Sequence, residues 1–144
     1  MSVLEESNVF QLIRTVELFT NESIIKWTKS FQHNIGISPI LVLFQLKQKG
    51  AQKQSELAKE LGYTPGAMTN IANRLIKDGY AERIYDQADR RIIRMGITNA
   101  GKALLDEAQQ TGQALREELF SVLTDEEIKQ FQAIHQKLLR NFKK

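Results

Sequence analysis

The chain has 144 residues, a formal net charge of +3 and no cysteine. This length predicts a single domain or one subunit of a small oligomer, and the lack of thiols excludes disulfides, thiolate metal sites and a redox-sensing cysteine within the chain. No basic region precedes an apolar run near the first residue, and no apolar run reaches the length of a bilayer span. We therefore expect an intracellular, cytoplasmic protein without a membrane partner.

Residues 4–33 predict one long helix, because apolar side chains from Val9 to Phe31 recur mostly every three or four positions. The apolar stripe is wider than one packing partner needs. It can face its own domain on one side and a second subunit on the other, and this is compatible with an ordinary core helix.

The second predicted helix begins at Ser38-Pro39 and runs to Gln48, with Pro39 at its first position and Gly50 at its end. A break in the apolar pattern separates it from the first helix. It is apolar on almost all sides, so we expect it to be deeply buried.

Two shorter helices follow and are joined by a tight turn. The first covers residues 53–61 and starts at Lys53, whose ammonium group cannot accept a hydrogen bond from the backbone. The second starts at Thr64-Pro65, where Thr64 can cap an unpaired N–H and Pro65 suits the first helical position. Gly79 ends it, because a left-handed residue often follows the last turn. The pair predicts a helix-turn-helix.

The second of these helices has two contrasting faces. One face is apolar, and the other carries amides and a hydroxyl with almost no charge. Such groups suit base edges, since Asn can bond adenine bidentately and a Thr methyl can pack on thymine. A face that contacts only solvent is the alternative. The candidate base-reading residues are Pro65, Gly66, Ala67, Thr69, Asn70 and Asn73.

Candidate phosphate contacts lie near the starts of both short helices and along the second one. Arg74 can bind a phosphate or pair instead with an acid of the loop that follows. The candidate phosphate-binding residues are Gln54, Ser55, Thr64, Arg74 and Lys77.

Two predicted strands, residues 81–85 and 92–97, are joined by a basic loop. Either arginine at the loop tip can enter a narrow, electronegative minor groove. The two acids of the loop can orient these guanidinium groups through charge-assisted hydrogen bonds. An ordinary charged hairpin loop is the alternative, but the position directly after the helix-turn-helix favours a wing. The candidate wing residues are Asp86, Asp89, Arg90 and Arg91.

Two more helices complete the chain. Thr98 is the expected cap of a long helix that runs to about Val122, and Thr124 with Glu127 forms a capping box at the start of the last helix. The last helix carries an apolar stripe that needs a surface to bury against. Helices of two subunits would supply that surface.

Short motifs mark the stretch from the helix-turn-helix to the long helix. They are Leu61-Gly62, Thr64-Pro65, Arg74-Leu75, Gly79, Asp86, Asp89-Arg90-Arg91, and Thr98 with Gly101. Together they resemble the DNA-binding core of the MarR (multiple antibiotic resistance regulator) family, and the resemblance extends by length and helix order to nearly the whole chain. One departure is Lys53, where the family usually has a capping Thr.

The resemblance implies a mainly α fold with a small two- or three-stranded β wing, in which a winged helix-turn-helix is embedded in a helical dimerisation region. It implies one domain over residues 1–144, with residues 1–36 and 98–144 forming the dimer and residues 37–97 binding DNA. The expected function is that of a homodimeric transcriptional regulator, a repressor rather than an activator, that binds a pseudo-palindromic operator in double-stranded DNA.

The resemblance also implies a small aromatic effector, bound between the dimer helices and the DNA-binding unit. Packing of the same side chains into the core is the alternative. The candidate pocket residues are Trp27, Phe31, His33, Ile40 and Phe44.

Catalysis, metal binding and cofactor binding find no support in the sequence. The two histidines, His33 and His135, lie at opposite ends, and no nucleophile elbow, phosphate loop or metal-pair spacing occurs. Basic residues outnumber acids between residues 53 and 102 but not after them, which suits DNA binding. The modest net charge instead supports a rival function, a winged-helix module that binds proteins and does not read DNA.

Overall fold

The computed structural model describes residues 3–143, and the side chains of residues 8–143. The elements within this range are α1 (Val3–Ser30), α2 (Ile37–Lys49), α3 (Gln54–Leu61), α4 (Pro65–Lys77), β1 (Ala81–Tyr85), β2 (Ile93–Ile97), α5 (Asn99–Phe120) and α6 (Asp125–Asn141). The chain divides into two compact units, the first ending at Gln109 and the second beginning at Gln110. The expected mainly α fold with a small β wing is confirmed.

The core of the first unit forms where α2, α3 and α4 pack on one another and on the wing strands. Burying an apolar side chain of the size of Leu contributes about 1.5–3 kcal/mol relative to leaving it in water. The largest fully buried side chains are Val42, Leu43, Leu46, Leu57, Met68, Leu75 and Leu105. Because this core holds the apolar face of α4, the polar face of α4 is left at the surface.

β1 and β2 form a two-stranded antiparallel sheet in which Tyr85 pairs with Ile93, so β2 starts one residue later than the sequence predicts. Gln52, between α2 and α3, adds an isolated bridge. Its N–H donates to the Met95 carbonyl at 3.0 Å, and its carbonyl accepts from the Met95 N–H at 2.7 Å. The wing therefore consists of two strands and one bridging residue that ties the loop before α3 to the sheet.

Local signals set the ends of α4 as the sequence predicts. The Thr64 hydroxyl oxygen accepts from the Ala67 N–H at 3.1 Å, and Pro65 is the first helical residue. At the other end, Gly79 adopts a left-handed conformation with φ of +82°. Helix α3 has no side-chain cap at Lys53, in agreement with the donor-only chemistry of that side chain.

The start of α2 differs from the prediction. The helix begins at Ile37 with Gly36 as its N-cap, so Pro39 is its third residue and Ser38 is not the cap. The first four N–H groups of a helix have no acceptor within the helix. A proline in this turn therefore removes no hydrogen bond of the helix. The Ser38-Pro39 dipeptide thus indicates the first turn of α2 but not its first residue.

Burial of α2 and two helix boundaries also differ from the predictions. Helix α2 is not deeply buried on all sides, because its neighbours cover only part of its circumference and leave Leu41 and Phe44 43% and 40% exposed. Helix α1 ends at Ser30 and α5 at Phe120, each slightly earlier than predicted. Apolar periodicity locates a helix well but determines its last turn only to within a few residues.

Thr98 caps α5 and ties its start to the segment between α4 and β1. Its hydroxyl oxygen accepts from the Gly101 N–H at 3.0 Å, and its hydroxyl donates to the Gly79 carbonyl at 2.6 Å. Its own N–H donates to the Tyr80 carbonyl at 3.2 Å. The predicted cap is confirmed, and the start of α5 is fastened beside the end of α4.

In the second unit, the capping box at the start of α6 is complete. The Glu127 N–H donates to the Thr124 hydroxyl oxygen at 3.2 Å, and the Thr124 N–H donates to the Glu127 carboxylate at 3.0 Å. Phe120 and Phe131 meet edge to face, with ring centroids 6.0 Å apart. No residue of α6 is buried. The large apolar residues that α6 exposes are Ile128, Phe131, Ile134, Leu138 and Leu139.

Helix α1 is also apolar and exposed over most of its described length. Its exposed large apolar residues are Val9, Phe10, Leu12, Ile13, Val16, Leu18, Phe19, Ile24 and Ile25. Extended apolar surface on a protein marks a site of interaction. No helix in the described part of the chain combines the length and apolarity needed to cross a membrane.

Candidate nucleic-acid interface

Helix α4 presents its polar face to solvent because its apolar face is held in the core. Met68, Ala72 and Leu75 are fully buried on the inner side. The exposed residues on the outer side are Pro65, Gly66, Ala67, Thr69, Asn70, Asn73 and Lys77. The outer face carries amides, a hydroxyl and a cation, and α4 contains no carboxylate. Nothing on this face would repel a phosphate backbone.

The starts of α3 and α4 are joined by side-chain hydrogen bonds. The Gln54 amide donates to the Thr69 hydroxyl oxygen at 2.9 Å, and the Thr69 hydroxyl donates to the Pro65 carbonyl at 2.9 Å. Ser55 is exposed nearby on α3, and Thr64 is exposed with its hydroxyl oxygen engaged as the α4 cap. The structure thus brings candidate phosphate contacts and candidate base contacts together at one end of α4.

Arg74 does not pair with a wing acid, which is one of the two roles that the sequence allows. Its guanidinium donates to the Asn34 carbonyl, and its Nε lies 3.7 Å from a carboxylate oxygen of Asp78, the residue that directly follows α4. Both wing acids are engaged with other arginines. A phosphate contact by Arg74 stays a prediction. Lys77 is exposed and has no polar partner among the described residues.

Asn73 is held by a residue that the sequence does not single out. Arg83 of β1 donates from Nη2 to the Asn73 Oδ1 at 3.2 Å. Asn70, one turn earlier on the same face, is exposed and has no polar partner among the described side chains. Its position in the sequence could have identified Arg83, because it is a long basic side chain on the strand that directly follows α4. That strand packs on α4.

The two wing acids hold two different arginines. Asp89 binds Arg91 bidentately, with Nε to Oδ1 at 3.0 Å and Nη2 to Oδ2 at 3.1 Å. Asp86 pairs instead with Arg94 of β2 at 3.1 Å, and its other oxygen accepts two N–H groups of the loop at 3.0 and 2.9 Å. The expected pairing of Asp86 with Arg90 or Arg91 is therefore corrected to Arg94, because the hairpin brings β2 back beside the start of the loop.

These hydrogen bonds stabilise the charged form of both acids. The pKa of Asp86 is lowered, first by the Asp89 N–H and then by the Arg94 guanidinium. The pKa of Asp89 is lowered by the Arg91 guanidinium, which in turn raises the pKa of Arg91. A donor or an opposite charge beside a carboxylate favours ionisation in this way.

Arg90 has no acidic partner among the described residues. Its side chain is exposed, and its guanidinium carbon lies 5.6 Å from the centroid of the Tyr85 ring, which is a cation–π distance. Stacking on an aromatic ring supports an arginine without neutralising its charge. Of the two tip arginines, Arg90 is therefore the one whose charge no described acid offsets.

Comparisons with known proteins agree with this geometry. The family model described as "MarR family" matches residues 37–93. The transcriptional repressor MdtR of Bacillus subtilis is 33% identical over 105 residues, which cover 72% of this chain and 68% of MdtR. The multiple antibiotic resistance protein MarR of Salmonella typhimurium is 31% identical over 99 residues, which cover 68% of this chain and 69% of that protein. The chain belongs to the MarR family.

MarR-family membership confirms the resemblance that the short motifs indicate, and it makes the chain a transcriptional regulator and not an enzyme. The crystal structure of a mutant MarR from E. coli, complexed with operator DNA, has a TM-score of 0.78 to this structure and is 24% identical in sequence. It covers 96% of this chain and 99% of its own. This likeness confirms the MarR winged-helix fold.

Three of the candidate effector residues of this MarR-family chain are core residues. Trp27, Phe31 and Ile40 are each less than 8% exposed. Trp27 and Phe31 stack with ring centroids 4.7 Å apart, and the Trp27 indole N–H donates to the Ala108 carbonyl of α5 at 3.2 Å. The structure therefore shows the core packing that the sequence offers as the alternative.

The other two candidate effector residues lie at the surface. His33 is exposed, bonds the Glu107 carboxylate of α5 and lies 5.1 Å from the Phe31 ring. Phe44 is 40% exposed on the uncovered side of α2. The structure brings His33 to the buried aromatic pair. An effector site in this MarR-family protein stays a prediction.

Proposed function

We propose that the protein is a homodimeric repressor that binds a pseudo-palindromic operator and is released from it by a small aromatic compound. Each subunit places α4 in the major groove and Arg90 in the adjacent minor groove. The two half-sites then lie about one helical turn apart, roughly 10 base pairs. A regulator of chromosomal DNA would act in the cytoplasm.

The DNA-binding part of the proposal rests on one observation: acids do not neutralise two exposed features of the first unit. The outer face of α4 has no carboxylate, and Arg90 has no acidic partner among the described residues. An anionic duplex can therefore approach both without displacing an internal ion pair. A protein of the same fold is bound to operator DNA, which supports this docking.

Contacts to DNA divide by side-chain chemistry in this proposal. The exposed residues of α4 from Pro65 to Asn73 face base edges, where the Asn70 amide and the Thr69 methyl group favour A·T pairs. The residues that contact phosphates and position the helix are Gln54, Ser55, Thr64, Arg74 and Lys77. Arg90 enters the minor groove, which is narrow and electronegative at A·T-rich steps.

The exposed apolar surfaces of α1 and α6 support a dimer. We assign dimerisation to residues 1–36 and 98–144, and DNA binding to residues 37–97. Obligate interfaces are large and apolar, as these two helices are. Because a two-fold dimer presents two identical DNA-binding surfaces, its operator should be pseudo-palindromic.

Repression and effector release are supported by the name of a relative and by an aromatic cluster in the first unit. The relative MdtR is named a transcriptional repressor. Trp27, Phe31 and His33 form an aromatic cluster where α1 meets α5, and such a cluster suits an aromatic ligand. A compound that binds better to the DNA-free arrangement than to the DNA-bound one would lower operator affinity.

A winged-helix module that binds proteins is the second candidate, and the small net charge of +3 favours it. The two functions differ in their response to salt. Affinity for DNA through several phosphates falls steeply as salt rises, because binding releases condensed counterions.

Fluorescence anisotropy tests the proposal. The protein is titrated with duplex DNA from upstream of its own gene and with a random duplex, at several salt concentrations, with and without simple aromatic acids. We expect binding to the upstream duplex about a thousandfold tighter than to the random one, with a steep salt dependence. Weak, equal binding to the random duplex and to a tiled set of genomic duplexes would contradict the operator-reading function and favour the protein-binding module.

A further inference from the structure

The hydrogen bond between Arg83 and Asn73 joins the wing to the exposed face of α4. Arg83 lies on β1, and its Nη2 donates to the Asn73 Oδ1 at 3.2 Å. Strand β1 packs on α4, so the base of the Arg83 side chain is held at a fixed distance from the helix. The contact is between two exposed residues, on the side of α4 that faces away from the core.

This hydrogen bond determines which end of the Asn73 amide points outward. A guanidinium carries only donors, so the atom of Asn73 that meets it must be the carbonyl oxygen. The two ends of a planar amide point in different directions, so the NH₂ group is turned away from Arg83. No described residue accepts a hydrogen bond from that NH₂ group. Asn70, one turn earlier, has no partner among residues 8–143 that would orient its amide.

We propose that Arg83 is a positioning residue that makes Asn73 a hydrogen-bond donor to a base edge, an inference that rests on the proposed operator binding. Bidentate recognition of adenine needs the amide oxygen to accept from N6 while the NH₂ donates to N7. Arg83 occupies one acceptor position of that oxygen and places a positive charge beside it. This charge opposes the approach of the N6 amino donor, so Asn73 reads an acceptor through its NH₂. The N7 acceptor is common to adenine and guanine, so a contact to N7 alone does not distinguish the two purines. Asn70 keeps both amide groups free and can discriminate adenine.

Arg83 and Asn73 make different predictions for a scan of operator base pairs. Asn73→Ala identifies the base pair that Asn73 reads, because preference is lost there and nowhere else. At that pair the wild-type protein should bind adenine and guanine about equally, and 7-deazapurine, which lacks N7, should weaken binding. Arg83→Met keeps the aliphatic stem but frees the Asn73 oxygen. It should create a preference for adenine over guanine of about tenfold, the scale of a bidentate contact.

The matched control is Lys102→Met, which removes one positive charge from an exposed residue of α5 outside the proposed interface. It should reproduce any general loss of affinity without changing base preference. The double variant of Arg83 and Asn73 should behave as Asn73→Ala does, because Arg83 acts through Asn73. A wild-type preference for adenine over guanine of tenfold or more at the Asn73 position would overturn the proposal, as would an unaltered preference in Arg83→Met.

A phosphate contact by Arg83 is the outcome that would replace the proposal. Arg83→Met would then weaken binding to all duplexes uniformly and reduce the salt slope by about 0.9, the contribution of one phosphate.

The uncomplexed protein supplies a readout that is independent of DNA. Side-chain NMR relaxation of the Asn73 NH₂ group should show it more ordered in the wild type than in Arg83→Met. Equal mobility in the two proteins would overturn the positioning role of Arg83, whether or not any duplex is bound specifically. The absence of specific binding to any duplex would instead contradict the operator function.

Discussion

The carbonyl oxygen of Tyr80 lies directly against Gly101, where the turn after α4 meets the start of α5. A Cβ at residue 101 would overlap that oxygen and would lie 2.8 Å from Cγ1 of Ile97. Only glycine allows such an approach. Thr98 bonds the same turn through the carbonyls of Gly79 and Tyr80. The Thr and Gly of this MarR-family motif together fasten α5 to the end of the proposed recognition helix.

Gly101→Ala should therefore destabilise the fold. We expect the free energy of unfolding to fall by about 1–3 kcal/mol, the usual effect of inserting a methyl group into a closely packed site. Urea denaturation at fixed protein concentration measures the change. Gly66→Ala is the matched control, because nothing lies within 4 Å of its added Cβ and its φ is not positive. It should raise the free energy of unfolding by roughly 0.5–1 kcal/mol, and a Gly101→Ala variant as stable as Gly66→Ala would contradict the contact.

The two tip arginines of the wing should differ in their effect on DNA binding. Arg90→Ala should lower affinity for an A·T-rich operator by roughly tenfold, since an arginine in a narrow minor groove contributes on the order of a kcal/mol. Arg91→Ala should have a smaller effect, because Arg91 is already paired bidentately with Asp89. Anisotropy titrations of both variants against one duplex make the comparison. Equal losses would show that the Asp89 pair does not withhold Arg91 from DNA.

The wing acids make a prediction about pH. The folded-state pKa of Asp86 and that of Asp89 are both lowered from the ordinary value of 3.8. Each carboxylate therefore stabilises the folded wing at pH values above 3.8, and this contribution is lost as pH falls through the lower folded-state pKa. The wing hairpin should stay paired at mildly acidic pH.

Single arginine variants separate the causes of the two pKa shifts. Arg94→Met should raise the pKa of Asp86 only part of the way to 3.8, because the Asp89 N–H is the larger cause. Arg91→Met should raise the pKa of Asp89 and leave that of Asp86 unchanged. Carboxyl-carbon NMR titrations measure both values, and each variant is the control for the other. A shift of both acids in either variant would mean that the loop had rearranged.

The apolar face of α6 predicts the effect of a charge in the proposed dimer interface. Leu138→Arg should raise the dimer dissociation constant by roughly 30-fold or more, the effect of losing a hot-spot residue. Ala133→Arg is the control, because Ala133 is exposed on the opposite side of the same helix. Sedimentation velocity over a range of concentrations measures both. If Leu138→Arg and Ala133→Arg associate equally, α6 does not form the dimer through this face.

Local sequence is enough to predict the order of the elements and several of their ends. Thr64, Thr98 and Thr124 each bond an N–H three residues further on, as their spacing predicts. Gly79 ends α4 in the left-handed conformation. These features depend on residues within one helical turn of one another, so local sequence contains all the information they need. The MarR motifs are readable for the same reason.

Which polar groups meet depends on the packing of the whole fold. Arg74 bonds Asn34, forty positions away, and Asp86 holds Arg94 across the hairpin. The pairing of Asn73 with Arg83 likewise depends on how β1 packs against α4. The sequence contains several possible partners of suitable charge for each of these side chains. The distances between packed elements determine which partner is bonded, because a hydrogen bond forms only within a few tenths of an ångström of its preferred length.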